Sequence, residues 1–265
     1  MIITSKDNKI VKEVKKLKEK KNRIDKFIVE GIKMVQEAIN ENAKIEYIIF
    51  SNTELEKQIY EIEKYNVLEV SEKIFQDLSD VVTPQGVLAV IIKNKEQQEI
   101  DYEQDYILAL DGIQDPGNMG TIIRTADSAN IKQIIISKNT VDSYSPKVIR
   151  STMGAIFRVN IIETEDLVST LEKLKNKNFK IITTSLDTKN SIYDINYKKS
   201  VVVIGNEANG VTKEVQNIST SKVKIPMVGK TESLNASVAA GIMIYEYVRQ
   251  NLNSNLSWNC KIKLV

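Results

Sequence analysis

Residues 111–126 read Asp-Gly-Ile-Gln-Asp-Pro-Gly-Asn-Met-Gly-Thr-Ile-Ile-Arg-Thr-Ala and follow directly on the apolar run Tyr-Ile-Leu-Ala-Leu at 106–110. A strand that ends in a Gly/Pro loop and passes at once into a helix, here over 118–129, is the building unit of parallel α/β sheets. Loops at the carboxyl ends of such strands are where open α/β sheets bind ligands. Each polar residue has two readings. Asn118 either caps the helix or serves a site, and Arg124 either faces solvent or does chemistry. Gly117 and Gly120 suggest a phosphate loop. Neither Gly-x-Gly-x-x-Gly nor a Walker Lys-Ser/Thr is present, which speaks against an NTPase or a dinucleotide oxidoreductase.

Toward the C-terminus the α/β alternation continues. Strands are expected at 133–137, 157–161, 180–184, 201–204 and 222–225, several of them near-continuous Val/Ile/Leu runs, as in a parallel sheet covered on both faces. Helices are expected at 165–175 and 233–249. On the second, Leu234, Val238, Ile242, Tyr245 and Val248 trace an apolar stripe, while Ala236, Ala239, Ala240 and Gly241 allow close packing. Two further segments carry polar residues where core builders would suffice. Residues 201–210 read Val-Val-Val-Ile-Gly-Asn-Glu-Ala-Asn-Gly, so Glu207 follows a buried strand and is either a helix cap or a site residue. Residues 224–241 read Lys-Ile-Pro-Met-Val-Gly-Lys-Thr-Glu-Ser-Leu-Asn-Ala-Ser-Val-Ala-Ala-Gly. There Ser233 and Asn235 stand at the helix entrance, Ser233 either as N-cap or as a site residue.

Toward the N-terminus the pattern is a smaller αβ unit. Ile10, Val11, Val14 and Leu17 recur at helical spacing, 27–30 is a short strand, and Ile32, Val35, Ala38 and Ile39 mark a second helix. Strands at 45–50, 67–70 and 87–92 alternate with helices at 54–63 and 72–78. Residues 93–102 are polar and almost without apolar pattern, which makes them the linker. The domain boundary is placed near residue 98, giving units of 1–98 and 104–265. There is no internal repeat.

The 265 residues are 42% apolar and 27% charged, the profile of a globular protein, and include no histidine. That zero excludes Ser-His-Asp and Cys-His pairs, histidine-ligated zinc and an imidazole base. The lone Cys260 makes no internal disulfide and suits a reducing compartment. The first residues lack a secretory pattern, and no window approaches the roughly 20 apolar residues of a membrane helix. A cytoplasmic protein with no membrane segment is expected. The net charge of +2 hides a cluster, since ten basic and four acidic residues fall between Lys6 and Lys26. Such a stretch either contacts a phosphate backbone or is a solvated face.

In order and spacing the three polar segments resemble the signature motifs of the SpoU (TrmH-like) family of SPOUT RNA ribose 2′-O-methyltransferases. Asn118-x-Gly120-x-x-x-Arg124-Thr-Ala matches the first, Ile204-Gly-Asn-Glu-x-x-Gly210 the second and Ile225-Pro-Met-x-Gly-x-x-x-Ser233-Leu-Asn235 the third. Phe27-Ile-Val-Glu-Gly31 and Thr83-Pro-Gln-Gly86 are similar to segments of the L30e-like substrate-binding domain that precedes the catalytic domain in many members. The resemblance implies a mixed α/β protein: a C-terminal SPOUT α/β domain with a trefoil knot, behind a smaller N-terminal L30e-like αβ domain. It implies S-adenosylmethionine as methyl donor, with Thr184, Gly205, Ile225 and Leu234 on the cofactor. It places Arg124 at the centre of catalysis, with Asn118, Glu207, Ser233 and Asn235 around it. It further implies a homodimer and structured RNA as partner, rRNA before tRNA, with the Lys6 to Lys26 stretch as a candidate contact. The rival reading is a non-catalytic RNA-binding assembly factor of the same fold.

Overall fold

The computed structural model describes residues 2–94 and 99–255. Cys260 and the rest of the chain beyond 255 lie outside the described residues, as does the boundary position near 98. In chain order the elements are β1 (Ile2–Ile3), α1 (Lys9–Lys16), β2 (Lys26–Glu30), α2 (Ile32–Asn40), β3 (Ile45–Phe50), β4 (Val67–Val70), α3 (Glu72–Leu78) and β5 (Val87–Ile92). They continue with β6 (Tyr106–Asp111), α4 (Pro116–Ser128), β7 (Gln133–Ser137), α5 (Pro146–Thr152), β8 (Asn160–Thr164), α6 (Leu167–Asn176), β9 (Lys180–Thr184), β10 (Ser200–Gly205), α7 (Lys213–Ile218), β11 (Ser221–Val223) and α8 (Ala236–Asn255).

The chain divides into two compact units. The first comprises the N-terminal hundred residues together with Gln114–Asp127 and Val141–Ile162, and therefore includes most of α4 and all of α5. Its five-stranded sheet runs β1-β4-β3-β5-β2, parallel through β1, β4 and β3 and antiparallel from β3 to β5 to β2. Along β2 burial alternates, with Phe27 and Val29 inside, as a strand with one covered face requires. Helix α1 is capped by Asn8, whose Oδ1 accepts from Ile10 N at 2.9 Å. Its Val11 and Val14 enter a core with Ile49, Ile74, Phe75 and Leu88.

The second unit comprises Asp101–Ile113, Ser128–Thr140 and the described chain from Glu163 onward. The larger sheet has the strand order β11-β9-β10-β6-β7-β8. The pairings β11/β9, β9/β10, β10/β6 and β6/β7 are all parallel. Every residue of β6 and of β10 is buried, which explains why both read as unbroken apolar runs. The order reverses between β6 and β10, since the chain leaves β6 for β7 on one side and returns to β10 on the other. A switch point of this kind opens a crevice at the carboxyl ends of the two strands.

Three sequence expectations are corrected. The helix expected at 54–63 is two short 3-10 segments, Thr53–Gln58 and Ile62–Lys64, parted by Glu61 at a φ of 61°. Ile59 is the only residue there that is buried deeply, so no apolar stripe holds an α-helix in place. The strand expected at 157–161 begins at Asn160 instead. Met153 and Gly154 both take positive φ at the end of α5, and a 3-10 turn over Ala155–Phe157 follows before the chain can extend. Helix α8 starts at Ala236 rather than Ser233, because Asn235 supplies the cap. On α8 the apolar stripe lies beside the core face. Val238 is 49% and Tyr245 50% exposed, whereas Ala236, Ala240, Met243 and Ile244 are buried.

Candidate functional site

The first motif is built on α4. Pro116 opens the helix, where its missing N–H costs nothing. Asp115 Oδ1 accepts from Asn118 N at 2.8 Å. Asp115 is therefore the cap and Asn118 a buried residue of the first turn, which removes the capping explanation for its identity. A Cβ at Gly120 would lie 2.3 Å from Ser151 Cβ and 3.0 Å from Val148 O, so α4 crosses α5 at backbone contact and only glycine fits. Arg124 is exposed, while Ile122, Ile123 and Ala126 anchor the opposite side of the helix.

The second motif forms a tight turn at the end of β10. Asn206 N donates to Gly210 O at 3.0 Å, and Gly210 N to Asn206 O at 2.9 Å. Asn206 Oδ1 also accepts from Ala208 N and Asn209 N, and its Nδ2 donates to Gly112 O at 2.8 Å, tying the loop after β10 to the loop after β6. Glu207 stands exposed on this turn. It is not a helix cap, since α7 begins after Thr212. Asp111 Oδ2, buried at the end of β6, accepts from Thr212 N at 2.8 Å and holds the far side of the turn. A Cβ at Gly205 would sit 2.0 Å from Gly210 C and 2.1 Å from Val211 N. The turn's own backbone demands this glycine.

The third motif runs irregularly from β11 to α8. Asn235 Oδ1 accepts from Ser237 N at 2.9 Å and from Ser237 Oγ at 2.6 Å, which makes Asn235 the N-cap of α8 and leaves Ser233 exposed before it. Thr184 ends β9, where its Oγ1 donates to Val203 O at 3.3 Å, and β11 pairs Val223 with Thr184. Thr184, Gly205 and Ile225 therefore stand at or just past the carboxyl ends of adjacent strands, with Ile225 beyond the last ladder pair. Of the predicted catalytic residues, Asn118 and Arg124 belong to the first unit, and Glu207, Ser233 and Asn235 to the second.

Sequence reading passed over Asn206, Asp111 and Asp115, which shape the loops. Their signals were an Asn directly after a strand-ending Gly, an acid at the end of an apolar strand and an Asp-Pro pair before a helix. The basic stretch is also less open than its charge suggests. Arg23 is buried, with Nη2 2.7 Å from Asp142 Oδ2, and Lys26 pairs with Glu13 and Glu46. Lys18 Nζ donates to Ser79 O at 2.6 Å. Hydrogen bonds from Lys12, Lys21 and Lys6 hold the carboxyls of Asp7, Glu19 and Asp77 below their ordinary range. Lys9, Lys15, Lys16 and Lys20 are exposed.

The geometry thus gives three polar loops on an α/β frame, one of them at a switch point, in the order of the SpoU motifs. The SpoU rRNA Methylase family profile matches residues 105–245, more than half of the chain. The chain belongs to the SpoU rRNA methylase family. The profile of the MRM3-like substrate binding domain matches residues 8–89. The 23S rRNA (guanosine(2553)-2′-O)-methyltransferase RlmP of Bacillus subtilis is 31% identical over 92% of this chain and 97% of its own. The AdoMet-bound rRNA methyltransferase of Sinorhizobium meliloti is 31% identical, with a TM-score of 0.82 over 94% of this chain and 98% of its own. A TrmH/SpoU tRNA modifying enzyme of A. aeolicus, also 31% identical, reaches a TM-score of 0.52 and covers 59% of this chain and 79% of its own.

The SpoU protein is an S-adenosylmethionine-dependent RNA 2′-O-methyltransferase. Its residues fit that donor. Thr184 and Gly205 at the ends of β9 and β10, and Ile225 just past β11, are uncharged, which suits the neutral adenine of the donor. Among the described residues no helix is long and apolar enough to cross a membrane.

Proposed function

We propose that this SpoU enzyme methylates a ribose 2′-hydroxyl of 23S rRNA. The observation that carries the choice of RNA is coverage: the rRNA enzymes match both regions of the chain, whereas the tRNA enzyme matches little more than half of it. In this reading residues 1–98 are an L30e-like module that presents the RNA, aided by the exposed lysines of α1, and residues 104–265 are the catalytic domain with a trefoil knot. The exposed stripe of α8, with Val238 and Tyr245, pairs with a second copy to form a homodimer. The site of action is the cytoplasm.

Thr184, Gly205, Ile225 and Leu234 hold S-adenosylmethionine, which supplies an electrophilic methyl group. The protein's own work is to orient the ribose oxygen and manage its proton. Arg124 brings a guanidinium, which donates hydrogen bonds in a planar fork and accepts none. It acts as a fixed cation that stabilises charge growing on the 2′-oxygen. Glu207 is the carboxylate that accepts the proton, directly or through water, with Asn118, Ser233 and Asn235 orienting the sugar.

The test is transfer from labelled S-adenosylmethionine to RNA purified from cells lacking this gene, followed by mapping of the 2′-O-methyl position. Label in 23S rRNA supports the proposal, and label confined to tRNA overturns the substrate. Binding of donor and RNA without transfer favours the assembly factor. Arg124→Ala is expected to lower turnover by about 10²–10³-fold with donor affinity nearly unchanged; lost donor binding would move Arg124 to cofactor recognition.

A further inference from the structure

One guanidinium in the first unit gathers three carboxylates from two helices that are far apart in sequence. Arg158 Nε donates to Asp127 Oδ2 at 3.0 Å, and its Nη1 donates to Glu37 Oε2 at 2.8 Å and to Glu41 Oε1 at 3.0 Å. Glu37 lies on α2 and Glu41 ends it, while Asp127 lies in the last turn of α4, three residues from Arg124. The pairs are partly shielded, with the Arg158 side chain 28% exposed. Burial works against the charge on Arg158, yet hydrogen bonds to Glu37, Asp127 and Glu41 outweigh it and raise its pKa. Without the guanidinium, three like charges would face one another.

Two other contacts show how closely these segments run. A Cβ on Gly154, at a φ of +94°, would meet Glu37 Oε2 at 2.8 Å, so the turn after α5 lies against α2. Gly120 sets α4 on α5 by backbone contact near the start of the helix. Buried Met119, Ile122, Ile123 and Ala126 hold the inner face of α4 to the core, a non-directional contact that leaves the exact orientation of the helix to its specific contacts. Arg158 supplies such a contact at the end of α4 opposite Gly120, the end nearer Arg124.

We propose that Arg158 is a positioning residue, which fixes the orientation of α4, and through it of Arg124, by tying Asp127 to Glu37 and Glu41 of α2. The inference rests on the reading of Arg124 given above. Displacing a reacting group by about 1 Å lowers a rate by about 10²-fold, so a weak pull on the helix has a large effect on turnover. It makes α2, in the region matched by the substrate-binding profile, part of the frame for a catalytic helix.

The experiment measures kcat and KM on total RNA from cells lacking the gene, together with amide hydrogen exchange over residues 118–128. Arg158→Ala is expected to lower kcat by about tenfold or more. Donor affinity and KM for RNA should stay near wild type, and exchange in α4 should quicken. Arg158→Lys should recover part of the loss, because an ammonium neutralises the cluster without the guanidinium's fork. Arg158→Ala combined with Asp127→Asn should lose no more than Arg158→Ala alone, since both cut one tie. Wild-type kcat with unchanged exchange, or additive losses in the double variant, overturns the proposal. If Arg158→Ala does not fold, Asp127→Asn and Glu37→Gln decide by the same two readouts. Arg124→Ala with wild-type turnover takes down the reading of Arg124. Arg158→Ala with wild-type turnover beside an inactive Arg124→Ala takes down only this inference. An inactive wild type defeats the proposed function, and the exchange measurement then decides whether Arg158 holds α4.

Discussion

At the scale of single residues, the motif positions divide into those the backbone needs and those it does not. Gly120, Gly205 and Asn235 have structural duties that account for their identities: close helix crossing, a tight turn and a helix cap. Asp115 caps α4, α7 starts only after Thr212 and Asn235 caps α8, so helix capping does not account for Asn118, Glu207 or Ser233. Asn235 can be tested for both duties. Aspartate caps a helix about as well as asparagine, whereas alanine costs about 1 kcal/mol. Asn235→Asp should therefore keep the melting temperature while transfer falls, and Asn235→Ala should lower both. Thermal denaturation beside methyl transfer reads the difference; an Asn235→Asp variant with full activity would leave Asn235 as a cap alone.

At the scale of elements, the turn of residues 206–210 and helix α8 make opposite demands. The turn is closed by backbone hydrogen bonds and by Asn206, and Gly205 has backbone atoms 2.0 Å from where a Cβ would stand. Gly205→Ala should destabilise the fold by about 1–3 kcal/mol through overpacking. Gly210→Ala, which faces open space at a φ of +69°, should cost about 1–2 kcal/mol from backbone strain alone. Urea denaturation of the two variants compares them, and equal tolerance of both would contradict the turn's geometry. Helix α8, in contrast, leaves Val238 and Tyr245 half exposed. If that face joins two copies, Val238→Asp with Tyr245→Asp should turn a dimer into a monomer by light scattering, with the secondary structure kept. A dimer that survives both charges does not use this face.

The fold was legible in the sequence element by element where burial is one-sided or complete. The apolar runs of β3, β5, β6 and β10 fell where their residues predicted, because covered strands need unbroken apolar residues. The failures also have a common cause. The stripe on α8 was legible as an apolar face, but spacing does not show what covers such a face. The helix expected at 54–63 failed because polar residues with weak preferences follow tertiary context. The shift of β8 came from two positive-φ residues, Met153 and Gly154, that no periodicity marks.

At the scale of the whole molecule, the absence of histidine shapes the response to pH. No imidazole titrates between about pH 5 and 8, where histidine dominates in other proteins. Stability changes should instead come from carboxylates held below their ordinary range. Glu246 is buried on α8, where Arg249 and then Gln250 donate to it, so its folded pKa is lowered. The stabilisation is then present above the unfolded carboxylate value of about 4.3 and is lost as pH falls through the lower folded value. The melting temperature should be nearly level from pH 6 to 8 and drop below about pH 4.5, with Glu246→Gln less stable at neutral pH and less sensitive to acid. Calorimetry across that range checks it; a steep change near pH 6.5 would contradict the assignment.

The sequence alone determined the α/β class, the three motifs and their order, and which chemistries lacked a residue to perform them. These depend on local patterns and on composition, which a chain carries whatever its fold. Only the tertiary structure decided that Asp115 rather than Asn118 caps α4 and that Gly205 answers to its own turn. It alone revealed that much of the basic stretch is engaged within the fold, and that Arg158 draws Glu37, Glu41 and Asp127 together. The physical reason is the same each time. Each depends on distances and backbone angles in three dimensions, whether between near neighbours such as Asp115 and Asn118 or between residues remote in sequence such as Arg158 and Glu37, and no spacing along the chain records them.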